Sequence, residues 1–112
     1  MPKMTRRSFA KSAVTLLSLL PTAARADKKH DPGVSDGEIK LGNTAPYSGP
    51  VSVYGAIGTA EAAYWQMVND NGGINGRKIR FISYDDGFVP SKTVELVRKL
   101  VEDEQVFAMF SI

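Results

Sequence analysis

Val106-Phe107-Ala108-Met109-Phe110 is an unbroken apolar run of five residues. Such a run suits a strand buried on both faces, as in a parallel sheet covered by helices. That is a demanding arrangement, because parallel neighbours need long crossover connections, and helices supply them. The preceding residues offer these parts in order. Glu38-Ile39-Lys40-Leu41-Gly42 alternates polar and apolar and predicts a first strand over about 38–44. Ala45 to Gly55 holds Pro46, Gly49, Pro50 and Gly55 and reads as a loop. Ile57, Ala60, Tyr64, Met67 and Val68 then share one helical face. Asn71-Gly72-Gly73 stops that helix as a left-handed cap does. Asn75-Gly76 is a tight-turn signal ahead of a second strand, Lys78 to Tyr84, which Asp85-Asp86-Gly87 ends. Pro90 suits the first turn of a second helix, where its missing N–H costs nothing. Its expected apolar stripe is Val94, Val97, Leu100 and Val101, with Arg98, Lys99, Glu102 and Asp103 outward. The order is β-α-β-α-β, the opening of an α/β open parallel sheet with right-handed crossovers.

Residues 1–26 carry a different message. Arg6-Arg7-Ser8-Phe9 precedes a short apolar run, Ala13 to Leu20, and Ala24-Arg25-Ala26 offers a small-x-small cleavage site. These are the parts of a secretory signal peptide, and the arginine pair resembles the twin-arginine motif rather than a general-secretory signal. The apolar run falls well short of the ~20 residues of a spanning helix. Five of the fourteen basic residues lie before the cut: Lys3, Arg6, Arg7, Lys11 and Arg25. Nine then face twelve acids, so the mature charge is −3 in place of +2, and net charge gives no case for nucleic-acid binding. The expected address is the periplasm, as an exported, soluble chain. With no cysteine in the sequence, neither a disulfide nor a lipid anchor at the cleavage site is expected. His30, the one histidine, lies in a polar stretch at 27–37 that reads as a flexible leader, so neither a metal site nor a cofactor is expected. The chain reaches Ile112 just after its most apolar run, with no helix left to cover it. The expectation is that 38–112 is an N-terminal portion of a longer protein, or that a second chain covers the open edge.

In an open α/β sheet, ligands bind beyond the carboxyl ends of the strands. The first such place is the loop Pro46-Tyr47-Ser48-Gly49-Pro50-Val51-Ser52-Val53-Tyr54-Gly55. Its glycines permit close backbone approach, and its tyrosines join an apolar ring to a polar tip. It runs into a helix N-terminus, which favours anions. The same tyrosines would serve equally well as packing against the sheet. No G-x-G-x-x-G follows the first strand and no G-x-x-x-x-G-K-[ST] occurs, so the common nucleotide signatures are missing. Asp85-Asp86 reads as a turn and helix-start device rather than a metal or phosphoryl site. Without a His/Cys pair, nucleophilic or histidine-based catalysis has little material, and an enzyme is not expected.

Three blocks, taken together, carry a resemblance. They are Ile39-Lys40-Leu41-Gly42 with Pro46-Tyr47-Ser48-Gly49-Pro50 and Tyr54-Gly55; Asn71-Gly72-Gly73-Ile74-Asn75-Gly76-Arg77-Lys78-Ile79; and Tyr84-Asp85-Asp86 with Pro90. In this order and spacing they resemble periplasmic leucine/isoleucine/valine-binding proteins, the solute receptors of branched-chain amino-acid-type ABC importers. The resemblance implies the first lobe of a two-lobed periplasmic binding protein that closes on a small molecule by a hinge motion. It implies delivery of that molecule to ABC permease subunits in the inner membrane. The ligand would be an amino acid, an amide or an aromatic carboxylate. The family's pocket tyrosine carries over to Tyr54, with Ser48 and Tyr47 as further ligand-binding candidates. Ser111 stands where the family begins a Gly- and Ser/Thr-rich loop that grips the ligand. Gly87-Phe88-Val89 departs from members that have a cysteine shortly after the acidic pair. An extracytoplasmic ligand-sensing lobe of a receptor would use the same fold.

Overall fold

The computed structural model describes residues 29–111, so the expected signal peptide at 1–26 lies outside the described residues. Strand β1 spans Glu38–Ala45, β2 spans Lys78–Asp85 and β3 spans Ala108–Met109. Helix α1 covers Gly55–Asp70, preceded by a 3-10 turn at Ser52–Tyr54, and α2 covers Pro90–Glu102. The strands lie in the order β2-β1-β3, all parallel, with β1 in the centre. The β1–β2 register runs without slip from Glu38 opposite Lys78 to Ala45 opposite Asp85. The expected β-α-β-α-β open parallel sheet is therefore present.

Turn chemistry sets the boundaries. Gly72 and Gly73 have φ of 101° and 79°, and the Gly73 N–H donates to Val68 O at 2.9 Å, closing the end of α1. Asn75 and Gly76 both have positive φ, 50° and 78°, while Ile74 and Arg77 exchange two backbone bonds across them. That is the two-residue hairpin turn its sequence announces. Asp86 starts α2: its carboxylate accepts from the Phe88 N–H at 2.9 Å and from the Thr93 hydroxyl at 2.7 Å.

Each helix keeps part of its expected stripe inward, Val68 on α1 and Val97 and Leu100 on α2, and turns the rest out. On α1, Ile57, Tyr64 and Met67 are exposed, while Gly55, Gly58, Trp65 and Val68 face the sheet. The cause is close approach. Tyr47 lies under α1, and a Cβ at Gly58 would fall 2.2 Å from its hydroxyl. Glycine is required on that side, which rotates the larger apolar residues outward. On α2, Thr93, Leu96, Val97 and Leu100 point inward, whereas Val94 and Val101 are exposed. The Asp86–Thr93 bond fixes the rotation of the first turn, and residues three, four and seven positions after Thr93 follow it.

The apolar run 106–110 also differs from its expected burial. Only Ala108 and Met109 form strand, and Phe107 and Phe110 are 51% and 36% exposed. β3 has β1 on one side and, among the described residues, no strand on the other. A ladder with one partner cannot bury both flanks of a strand. The strand covered on both sides is β1, whose last four residues are all buried. The expected leader is tied down from Asp31 onward. Gly33 O accepts from the Lys40 N–H, Gly37 O from the Lys78 N–H, and Ser35 O from the Arg77 guanidinium, each within 2.9 Å. At the far end, Glu104 accepts the Tyr84 hydroxyl at 2.7 Å, which raises that phenol's pKa and anchors the α2–β3 connection.

At Ile79 the outer edge of β2 is capped by one side chain. Asn69 near the end of α1 donates from Nδ2 to Ile79 O and accepts the Ile79 N–H at Oδ1, both at 2.7 Å. Its amide takes the place of a neighbouring strand residue. Replacing Asn69 with Ala leaves both groups of the buried Ile79 without these partners, which costs about 2 kcal/mol. Asn69→Asp, which presents an acceptor to Ile79 O, is expected to cost at least as much. Denaturant midpoints of the two variants check both outcomes.

Candidate functional site

The carboxyl ends of β1 and β2 and the residues after β3 converge on one rim. Its central residue is Asn43, only 1% exposed. Its Oδ1 accepts the Ser83 hydroxyl of β2 at 2.6 Å. Its Nδ2 donates to Phe110 O at 2.9 Å and Ser111 O at 2.6 Å. One amide therefore links the ends of all three strands. A buried amide with every group engaged holds its surroundings rigidly.

The loop after β1 is clamped onto this rim. Tyr47 Oη and Ser83 Oγ lie 2.5 Å apart, so the ring sits between α1 and the sheet with its polar tip engaged. Ser48 grips the end of β2 twice: its hydroxyl donates to Asp85 Oδ2 at 2.6 Å and its N–H to Oδ1 at 3.2 Å. The Gly87 N–H adds a third bond at 3.0 Å. The Ser48 hydroxyl is the largest cause holding the Asp85 carboxyl below its usual pKa. Partial burial opposes it, and the Gly87 and Ser48 N–H groups and Lys92 assist.

Between this loop, the start of α1 and the end of β3 lies a cleft of about 270 Å³. Asn43, Tyr54, Ile57, Glu61, Phe88 and Ser111 are among the residues lining it. A second, more apolar groove of about 400 Å³ runs between the end of β1 and α2, past Pro46, Phe88, Pro90 and Val94. Phe88 borders both. Its φ of 61° is unusual for a bulky residue, and it is 69% exposed. The Asp86 turn holds it there through its N–H. Among the described residues no group of three or more His, Cys, Asp or Glu is placed to hold a metal ion.

Of the residues singled out from sequence, Tyr54 and Ser111 meet in the cleft although 57 positions separate them. Tyr47 and Ser48 do not line it; their polar groups hold the loop. Sequence reasoning passed over Asn43, Glu61 and Phe88. A signal for Glu61 was available, because Tyr54, Gly58 and Glu61 are spaced four and three apart, one face of a helix. Asn43 carried none, because its neighbours come from β2 and β3.

The family described as periplasmic binding protein matches residues 38–112. The leucine-, isoleucine-, valine-, threonine- and alanine-binding protein of Pseudomonas aeruginosa is 33% identical over 72 residues, 63% of this chain and 19% of its own length. A fatty acid ABC transporter substrate-binding protein from Thermomonospora curvata superimposes with a TM-score of 0.63 at 33% identity. That match covers 72% of this chain and 21% of the other. The branched-chain amino acid transporter substrate-binding protein of Streptococcus pneumoniae, solved with isoleucine, gives 0.62 at 25% identity, covering 67% and 22%. The chain thus spans about a fifth of the length of these relatives.

The Asp85 clamp has a pH signature. The folded carboxyl holds its proton more weakly than the unfolded one, so the clamp supports the fold above the usual Asp range, ~3.9. That support disappears as pH falls from there through the lower folded value. Ser48→Ala removes the main cause and is expected to move the Asp85 pKa up toward its usual value. Carboxyl-carbon NMR titration reads the shift directly, and an unmoved titration would refute the assignment.

Proposed function

The chain belongs to the periplasmic binding protein family, and we propose that residues 38–112 form the opening part of the first ligand-binding lobe of a solute receptor serving an ABC importer. In this reading residues 1–26 direct export to the periplasm, and ABC permease subunits in the inner membrane receive the ligand. Among the described residues no helix is long and apolar enough to cross a membrane.

One observation carries the reading. Tyr54 from the loop before α1 and Ser111 from the end of β3 line a single cleft at the carboxyl rim of a parallel sheet. That rim is where open α/β sheets bind ligands. The tight rim around Asn43 supplies a fixed wall, and a second lobe closing by a hinge would supply the other. Tyr54 is 59% exposed, so it offers its ring face and hydroxyl to whatever enters. Ile57, Pro46 and Phe88 add apolar walls suited to an aliphatic body. The relatives are named for leucine, isoleucine, valine, threonine and alanine, for branched-chain amino acids and for fatty acids, most of them ligands of that build. The ligand proposed is therefore a small molecule with an apolar body, an amino acid or related compound.

Truncating Tyr54 to Ala in the complete gene product is expected to weaken leucine or isoleucine binding about tenfold, near 1.4 kcal/mol. Isothermal titration calorimetry measures it. An affinity equal to the unmodified protein's would remove Tyr54 from the site.

A further inference from the structure

Phe88 occupies a costly position for its type. It holds left-handed backbone, with φ of 61°, and is 69% exposed. So exposed a ring gains little from packing within the described residues, and a glycine would make the same turn without strain. An outlier of this kind on a ligand-binding rim points to a task beyond the core. The Asp86 carboxylate keeps it in place: one oxygen accepts the Phe88 N–H at 2.9 Å, the other the Thr93 hydroxyl at 2.7 Å.

The cleft of about 270 Å³ and the groove of about 400 Å³ share Thr44, Pro46 and Phe88 in their walls. Thr44 is buried in β1 and Pro46 is half-buried. Of the three, only Phe88 stands clear of the protein body, so its ring is the partition between the two hollows. Beyond it the groove runs along Pro90 and Val94, and the exposed Val94 side chain widens its apolar wall. Asp86 and Thr93 also line the groove, but they spend polar groups on each other. No lysine, arginine or histidine lines it. Such a hollow suits an uncharged apolar chain and offers no partner to a second carboxylate.

We propose that Phe88 is a specificity-determining residue that sets ligand length. Its ring closes the cleft toward the groove, so a short apolar body fits and a longer unbranched chain is turned away. This inference rests on the solute-receptor reading and narrows its ligand class by size. Removing the ring joins the two hollows, and the added methylenes of a longer chain then leave water along Pro90 and Val94.

The test compares L-norleucine with L-2-aminooctanoate, which has the same head group and a longer chain, on the complete gene product by calorimetry. The unmodified protein is expected to bind norleucine at least about tenfold more tightly than 2-aminooctanoate. Phe88→Gly, which suits the positive φ and so keeps the turn, is expected to bring the two within about threefold, chiefly by tighter binding of the longer probe. Phe88→Trp is expected to keep the preference at about tenfold or more. Each preference is a ratio taken within one protein, so a merely structural role for Phe88 weakens both probes together and leaves the ratio where it was. A ratio unchanged in Phe88→Gly, or no preference in the unmodified protein, overturns the role of Phe88 while the receptor reading stands, because norleucine still binds. Failure of both probes to bind the unmodified protein overturns the amino-acid receptor reading, and the role of Phe88 with it.

Discussion

Three strand ends meet at one side-chain amide. Asn43 accepts from Ser83 of β2 and donates to the backbone after β3, at distances of 2.6 to 2.9 Å. It sits on the central strand, at 1% exposure, where water cannot substitute for a lost partner. The cleft residues on this rim are placed relative to it. The carbonyls it holds belong to the segment that brings Ser111 to the cleft. The serine it accepts from also meets the Tyr47 hydroxyl, and through Tyr47 the loop and α1 are set. A polar network of this kind is rigid only when its members are satisfied, and here the amide oxygen and nitrogen are both engaged.

The loop after β1 separates two tasks that its sequence leaves mixed. Tyr47 and Ser48 bind the protein to itself: one fills the space that Gly58 leaves beneath α1, the other holds Asp85. Tyr54, seven residues on, remains exposed at the cleft. A rigid loop presenting one free aromatic ring loses less entropy on meeting a ligand than a mobile loop would. The acidic pair at the end of β2 divides in the same way. Asp85 secures the loop, and Asp86 starts α2 and holds Phe88 between the two grooves.

Much of the architecture was legible because local rules agree with the global fold. The Asn75-Gly76 turn, the paired glycines ending α1, Pro90 opening α2 and the alternation in β1 each depend on neighbours in the chain. Such signals survive whatever the tertiary environment does. The helix faces were less legible. Ile57, Tyr64 and Met67 form a true periodic stripe, yet they face outward, because the sheet needed glycine where Tyr47 lies beneath the helix. Val94 and Val101 lost their places to Thr93 and Leu96 because a hydrogen bond to Asp86 set the rotation of α2. Apolar periodicity records how much surface a helix offers, and it does not record how closely a neighbour must approach.

The sequence by itself determined the order β-α-β-α-β, the parallel sense of the sheet and the rim on which a ligand site belongs. These follow from chain-local patterning and from the right-handed geometry of crossovers. The resemblance of its ordered motifs singled out Tyr54 and Ser111, which line one cleft on that rim. Tertiary structure alone decided that β1 is the buried strand and β3 an edge, since pairing order is a property of three strands together. It also decided that Tyr47 and Ser48 brace the loop while Glu61 and Asn43 line the cleft. Those roles depend on bonds between residues 18 to 68 positions apart, formed only once the sheet has brought its strand ends together.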